Sequence, residues 1–195
     1  MPVGHWRNRL SPAKRRVYDR SDAVRVIPLT AGSALREAVR GLRSALESGN
    51  QRHVAHFSQL IADDICAGLR VPGLRVVVHG RRPASSRGEL HGLYTSGEHS
   101  RRNTVKVWMI TAKRAQVVAF RTFLRTLIHE LCHHLDYALL GLPDSYHTDG
   151  FYVRESAIFR SLTDGERFEQ SAGAGARSAG HTGRSIPTGG TGWRG

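Results

Sequence analysis

Two segments near the N-terminus carry apolar residues at helical spacing. Residues 33–47 place these residues three or four positions apart along one face, and residues 52–68 continue the pattern. A Gly-Asn pair at 49–50 interrupts it, and a Pro-Gly pair at 72–73 follows the second segment. The pattern predicts two consecutive amphipathic helices. Their apolar positions are Leu35, Ala38, Val39, Leu42, Ala45, Leu46, Val54, Phe57, Leu60, Ile61 and Ile65.

The periodicity then changes to that of short strands. Residues 74–79 are rich in β-branched side chains, 90–95 form a weaker run, and 104–110 alternate well. Polar stretches separate these runs. We expect a small, mostly antiparallel sheet. In it, 104–110 is either an edge strand that can pair with an extended peptide or an ordinary strand of the sheet.

A long apolar segment follows the last strand. It predicts a helix over about 112–140, capped by Thr111 and ended by Gly141. Because apolar residues lie around much of its circumference, we expect this helix to be at the centre of the domain core. A further helix is predicted over about 152–162. Separate runs of helices and strands indicate the α+β class.

Composition divides the chain into three parts. Residues 1–30 are basic and contain three prolines, 31–163 hold the periodic segments, and 164–195 consist largely of Gly, Ala, Ser, Thr and Arg. The last part has too few apolar residues to order itself by burial. We therefore predict a basic N-terminal extension at 1–30, one folded domain at 31–163 and a disordered tail at 164–195.

The chain is strongly basic, with a net charge of +13 and a pI of about 11.1 over 195 residues. This balance favours acidic partners, nucleic acid first, although charge that serves solubility explains it equally well. Cys66 and Cys132 are far apart in helical patterns, which is not typical of a disulfide framework. No apolar run approaches membrane-spanning length, and no signal peptide is expected. These features predict a cytoplasmic protein.

The sequence His-Glu-Leu-Cys-His at positions 129–133 lies inside the long predicted helix. Residues four apart share one face of a helix, so His129 and His133 can direct two imidazoles at one ion. Glu130 lies about 100° round the helix, beside that ion. Two nitrogen ligands and a carboxylate placed to accept a proton are typical of a zinc hydrolase.

A catalytic zinc site needs a third protein ligand. His147 lies after a predicted turn, 14 residues beyond His133, and Glu155 lies in the next predicted helix. Either residue can complete the site. We favour His147, because it stands at a loop-to-helix junction and imidazole suits zinc.

Several neighbours of the motif are candidates for supporting roles. Asp136 lies on the ligand face and can either accept a hydrogen bond from a ligand imidazole or form a salt bridge with an arginine. Cys132 is expected to pack in the core rather than bind metal. Four further residues are candidates for stabilising an oxyanion, and each is also explained by a structural role. They are His134, Tyr146, Tyr152 and Arg154.

The motif at 129–133, an intervening turn, and His147 with Phe151 four residues later together resemble the SprT-like zinc metallopeptidases. In that family a third histidine precedes an aromatic residue by four positions at the start of a helix. The resemblance covers roughly residues 33–163. The chain departs from the family in one place, since glycine usually follows the third histidine there and Thr148 follows it here.

The resemblance implies a compact zincin-like domain that hydrolyses peptide bonds, most often as an endopeptidase. It implies zinc as cofactor, His129, His133 and His147 as ligands, and Glu130 as the catalytic acid/base. A protein or peptide is then the substrate. The alternative is a non-catalytic, zinc-stabilised interaction module associated with nucleic acid, and the high positive charge motivates it.

Overall fold

The structure, a computed structural model, describes residues 7–85, 88–97 and 102–177. The chain divides into two compact units, Met1–Thr163 and Asp164–Gly195. In chain order the elements are α1 (Pro12–Ala23), α2 (Ser33–Glu47), α3 (Gln51–Gly68), β1 (Arg75–Arg81), β2 (Ala84–Ser85), β3 (Gly88–Glu89), β4 (Gly92–Thr95), β5 (Thr104–Ile110), α4 (Phe120–Ala138) and α5 (Asp149–Arg177). The predicted α+β class is confirmed.

The two helices predicted near the N-terminus are present as α2 and α3. A tight turn joins them, in which Gly49 adopts a φ of +66° and the Asn50 side chain accepts a hydrogen bond from the backbone of His53. The apolar faces of both helices are buried against β1, β5 and α4 in one hydrophobic core. This core supports the helix that carries the histidine motif.

The main sheet is mixed rather than mostly antiparallel. Its strand order is β1-β5-β4, with β1 parallel and β4 antiparallel to β5. The chain between β1 and β5 contains the small β2–β3 hairpin and β4, so β5 returns beside β1 in the same direction. As a result β5 is the central strand, so 104–110 is an ordinary strand of the sheet and not an edge strand.

Helix α4 begins at Phe120, eight residues later than predicted. The preceding segment folds back on β5 instead, with a bridge between Ile110 and Val117 and a bond from Val118 N–H to the Met109 carbonyl. Thr111 stabilises this turn by accepting a bond from the backbone of Gln116, not by capping the helix. These strand-like bonds satisfy backbone groups that a longer helix would otherwise have used.

Part of the predicted N-terminal extension is packed onto the domain. Helix α1 buries Tyr18 and Ser21, and Ile27 beyond it belongs to the hydrophobic core. Residues from this segment therefore share one compact unit with the rest of the chain up to Thr163. Residues 164–177 continue helix α5 where a disordered tail was predicted, and 178–195 lie outside the described residues.

Both cysteines, Cys66 and Cys132, are free and buried, as expected for chain positions that do not form a disulfide. Cys132 packs in the core, which confirms its predicted structural role. Among the described residues, no helix is both long and apolar enough to cross a membrane.

Candidate metal centre

Helix α4 places His129 and His133 one turn apart on the same face, with their ring centres 5.0 Å apart. The rest of the helix is anchored by apolar side chains such as Leu127 and Leu131, which are fully buried. The two imidazoles consequently project from a helix whose other side is held in the core.

His147 joins the two motif histidines from the end of the loop that precedes α5. Its Nε2 lies 3.0 Å from Nε2 of His129 and 3.1 Å from Nε2 of His133. The next residue, Thr148, accepts a bond from the backbone N–H of Phe151 and so caps α5. Thr148, which departs from the family pattern, thus helps to set the position of His147.

The three histidines form a group that can hold a metal ion. Their candidate ligand atoms all lie within 4.8 Å of one another. Of the two residues considered for the third position, the structure brings His147 to this point. Glu155 instead lies behind His129 and contacts the other nitrogen of its ring, 3.0 Å from Nδ1.

The partners of the two motif imidazoles determine which nitrogen carries the proton. Nδ1–H of His129 donates to the Glu155 carboxylate, which cannot donate in return when ionised. Nδ1–H of His133 donates to Ser145 Oγ at 2.7 Å, because the Ser145 hydroxyl itself donates to Asp136. In both rings Nε2 is left with a lone pair directed at the shared point.

Converging lone pairs repel one another unless a cation lies between them. For a tetrahedral zinc ion with Zn–N bonds of about 2.0–2.1 Å, neighbouring ligand nitrogens lie about 3.3 Å apart. The observed separations of 3.0 and 3.1 Å approach this value. The donor set therefore fits a metal ion that imidazole binds well, zinc among them.

Metal ligation requires neutral imidazoles, and burial favours the neutral form of His133 and His147. Burial lowers the pKa of His133 to about 3, with further lowering by His129, His147 and Arg154. Burial likewise lowers the pKa of His147. The lone pairs of these two rings therefore remain available below the pH at which a free imidazole takes up a proton.

Phe151 forms the floor of the histidine group. Its ring is fully buried and its centre lies 5.1, 4.9 and 5.2 Å from the ring centres of His129, His133 and His147. Sequence reasoning used this aromatic only as a family marker. Because Phe151 contacts all three rings, it restricts the position of each imidazole.

Glu130 lies beside the group without belonging to it. Its side chain is only 7% exposed and accepts a backbone hydrogen bond from Tyr94 on β4. Gly92 faces it so closely that a Cβ at that position would lie 2.5 Å from the Glu130 carboxylate. Burial raises the pKa of Glu130 above the ordinary carboxyl value, which suits a group that must both accept and release a proton near neutrality.

Of the two roles that the sequence left open for Asp136, the structure shows the salt bridge with an arginine, and Asp136 reaches the His133 imidazole only through Ser145. One carboxylate oxygen accepts from Ser145, the partner of His133, at 2.6 Å. The other accepts from Arg154 at 2.6 Å, and both side chains are fully buried. Arg154 in turn donates to Ser21 and Val24 of the N-terminal segment, so a continuous polar chain links His133 to α1.

Sequence reasoning missed Ser145 and the role of Arg154 in this network. Ser145 is a loop residue with no pattern of its own, and no sequence signal identified it. The sequence contained a weak indication that Arg154 is buried and paired. This residue lies near Val153, Ala157 and Ile158 in a helix that packs on the core, and a charged residue in such a position needs a partner.

The four oxyanion candidates differ in exposure, since three are buried and one is exposed. His134 is buried and bonds Pro72, and Arg154 is committed to Asp136 and α1. Tyr146 is buried against Tyr18. Tyr152 is 46% exposed and its ring stacks on that of His147, with centres 5.8 Å apart. It is the member of this set that lies at the open side of the site.

A cleft of about 660 Å³ adjoins the centre. Its walls come from the first half of α4, from α5 and from the start of β4, and both His129 and Glu130 line it. A substrate can therefore reach the histidine group and the carboxylate from solvent.

Comparison of the chain with protein-family models, with curated proteins and with solved structures gave no match. The chemistry of the site therefore stands on its geometry alone.

Proposed function

We propose that this protein is a zinc-dependent peptidase with a zincin-like domain similar to that of SprT-like enzymes, and that it cleaves within peptide chains. The observation that carries the proposal is the convergence of three imidazole Nε2 atoms beside a buried carboxylate at the mouth of a cleft. Three nitrogen ligands with an open side are typical of catalytic rather than structural zinc sites.

Zinc bound by these imidazoles would supply a water of lowered pKa and a Lewis acid for the scissile carbonyl. Glu130 is the group that accepts the proton of the attacking water and delivers it to the departing amine. Burial raises the pKa of this carboxyl, which favours its uptake of a proton from the attacking water. Tyr152, at the open side of His147, is placed to donate a hydrogen bond to the developing oxyanion.

The strand that can hold an extended substrate is β4, not β5 as the sequence suggested. Both sides of β5 are paired, whereas β4 pairs with β5 along one side only within the described residues. The other side of β4 faces Glu130, since the Tyr94 backbone N–H reaches that carboxylate. A peptide added along β4 would pass directly over the centre.

The Glu130→Gln variant tests this proposal. It preserves the size of the side chain but cannot accept a proton, so we expect peptide hydrolysis to fall by about 10²- to 10⁴-fold while zinc content stays at that of the wild type. Cleavage of casein or a quenched peptide mixture, measured beside metal analysis, gives both readouts. Wild-type rates in this variant would overturn the mechanism.

The alternative is a zinc-stabilised module that binds nucleic acid without catalysis. It rests on the net charge of +13 and on exposed basic residues of α1, among them Lys14, Arg16 and Arg20. Zinc held by four protein ligands together with salt-sensitive DNA binding would favour it. The cleft beside Glu130 favours the peptidase instead.

A further inference from the structure

The cleft beside the histidine group extends along the first half of α4. Arg121 and Arg125 lie one turn apart on this face, and Tyr152, Glu155 and Phe159 of α5 form the opposite wall. Both guanidinium groups lie over the Phe159 ring, at 5.0 Å for Arg121 and 4.3 Å for Arg125. Stacking on one ring restricts both side chains before any ligand arrives.

The two arginines differ in how their charge is compensated. Arg125 donates to Glu155 at 2.9 Å, and the second oxygen of Glu155 accepts from His129, so Arg125 belongs to the support of the centre. Arg121 forms no ion pair with any residue that the structure describes. The far end of the cleft therefore carries one uncompensated and pre-oriented cation.

We propose that Arg121 forms a subsite that binds a carboxylate of the substrate, which makes an acidic peptide the preferred class. This inference rests on the proposed peptidase function. Eight helical residues separate Arg121 from His129, a rise of about 12 Å. An extended peptide covers that distance in about three or four residues, so the carboxylate lies three or four residues from the scissile bond.

The charge balance of the cleft fits one carboxylate better than a nucleic acid strand. Glu130 and Glu155 also line it, and Arg125 is already paired. A polyphosphate backbone binds through a repeated series of cations, whereas among the described residues this cleft offers a single arginine without an ion pair. A planar carboxylate matches the two-pronged geometry of one guanidinium.

Either an acidic side chain or the C-terminal carboxylate of a peptide can supply the ligand. The test uses fluorescein-labelled 12-residue peptides with Glu, Gln or Lys at each position three or four residues from the centre of the peptide, each made with a free and an amidated C-terminus. Binding is measured by anisotropy with zinc-loaded Glu130→Gln protein, and kcat/KM with zinc-loaded wild type.

We expect Glu peptides to bind about tenfold more tightly than Gln peptides, as one charge-assisted bond allows. When Arg121→Gln is combined with Glu130→Gln, this preference should disappear. When Arg121→Glu is combined with Glu130→Gln, Lys peptides should bind more tightly than Glu peptides. Arg52→Gln, which removes an exposed arginine of α3, serves as the matched control and should retain it. In wild type the preference should appear in KM rather than kcat.

The outcomes separate the two proposals. Binding that depends neither on the Glu or Gln side chain nor on a free C-terminus would overturn the subsite even if peptides are cleaved. A preference that survives in Arg121→Gln would overturn it as well. A preference that follows the free C-terminus instead of the side chain supports the subsite and assigns the terminal carboxylate as its ligand. Failure of wild type to cleave any peptide would overturn the peptidase, while the binding series would still decide the role of Arg121.

Discussion

At the scale of single residues, Glu155 shows how one contact separates a ligand from a supporting group. The sequence allowed this carboxylate to be the third metal ligand. In the structure it accepts from Nδ1 of His129 and pairs with Arg125. It therefore orients the imidazole, and the third position beside the two motif histidines is left to His147.

This arrangement predicts a graded loss of zinc affinity. Glu155→Gln retains a hydrogen-bond acceptor but loses the charge, so we expect zinc to bind about 10- to 100-fold more weakly, whereas His147→Ala should lose more than that. Competition with a chromophoric chelator measures both. Glu47→Gln, an exposed change on α2, is the control. A loss in Glu155→Gln as large as that in His147→Ala would mean that Glu155 is a ligand after all.

At the scale of elements, the contact of α1 with the start of α5 holds the loop that carries His147. The Gly150 N–H donates to the Asp22 carboxylate at 2.8 Å, which also places a negative charge at the helix N-terminus. No side chain fits at Gly150, because a Cβ there would lie 2.3 Å from the Asp22 carbonyl oxygen. Since the obstacle is backbone, one of the two elements must move.

We therefore expect Gly150→Ala to lower the free energy of unfolding by about 1–3 kcal/mol, the usual cost of overpacking. Urea unfolding of the zinc-free protein measures it. Gly73→Ala is the matched control, since a Cβ at that position meets nothing within 4 Å. Equal stabilities of the two variants would show that α1 does not pack against α5 in this way.

At the scale of the whole compact unit, His134 ties three parts of the chain together. Its Nε2–H donates to the Pro72 carbonyl at 2.8 Å, and its Nδ1 lies 3.4 Å from the Tyr94 hydroxyl and 3.3 Å from Nδ2 of Asn103. Both ring nitrogens are thus satisfied in the neutral form. Burial lowers the pKa of His134, because a second ring proton would be desolvated and would face the donor of Asn103.

The lowered pKa of His134 determines the direction in which the free energy of unfolding changes with pH. Below about pH 6.5 the unfolded chain protonates His134 and the folded protein does not, so the stabilisation present above that pH is lost as pH falls. As pH falls from 6.5 to 5, the free energy of unfolding of zinc-free wild type should decrease more steeply than that of His134→Gln. The difference should be up to about 1.4 kcal/mol per pH unit. His133 and His147 act in the same sense in both proteins.

Urea unfolding at several pH values gives this comparison. His53→Gln, on an exposed position of α3, should behave as wild type. Parallel pH profiles for wild type and His134→Gln would contradict the role of a buried neutral imidazole.

The local pattern of the sequence determined the elements that depend on periodicity. α2, α3 and β5 lie where spacing and alternation predicted them, since such patterns record which side of each element meets the core. Helical pitch alone also brought His129 and His133 together and placed Glu130 beside them. These relations involve neighbours in sequence, so they do not require knowledge of the fold.

Only the tertiary structure decided the relations between distant segments. Three findings depend on contacts between distant parts of the chain. His147 rather than Glu155 joins the motif histidines, β4 rather than β5 lies at the open edge of the sheet, and α1 packs on the domain through Arg154. The late start of α4 has the same origin, since segment 111–119 turns back onto β5 instead of forming the first turns of the helix. Periodicity reports which side of an element is buried, but the partner that buries it is chosen by the packing of the whole chain.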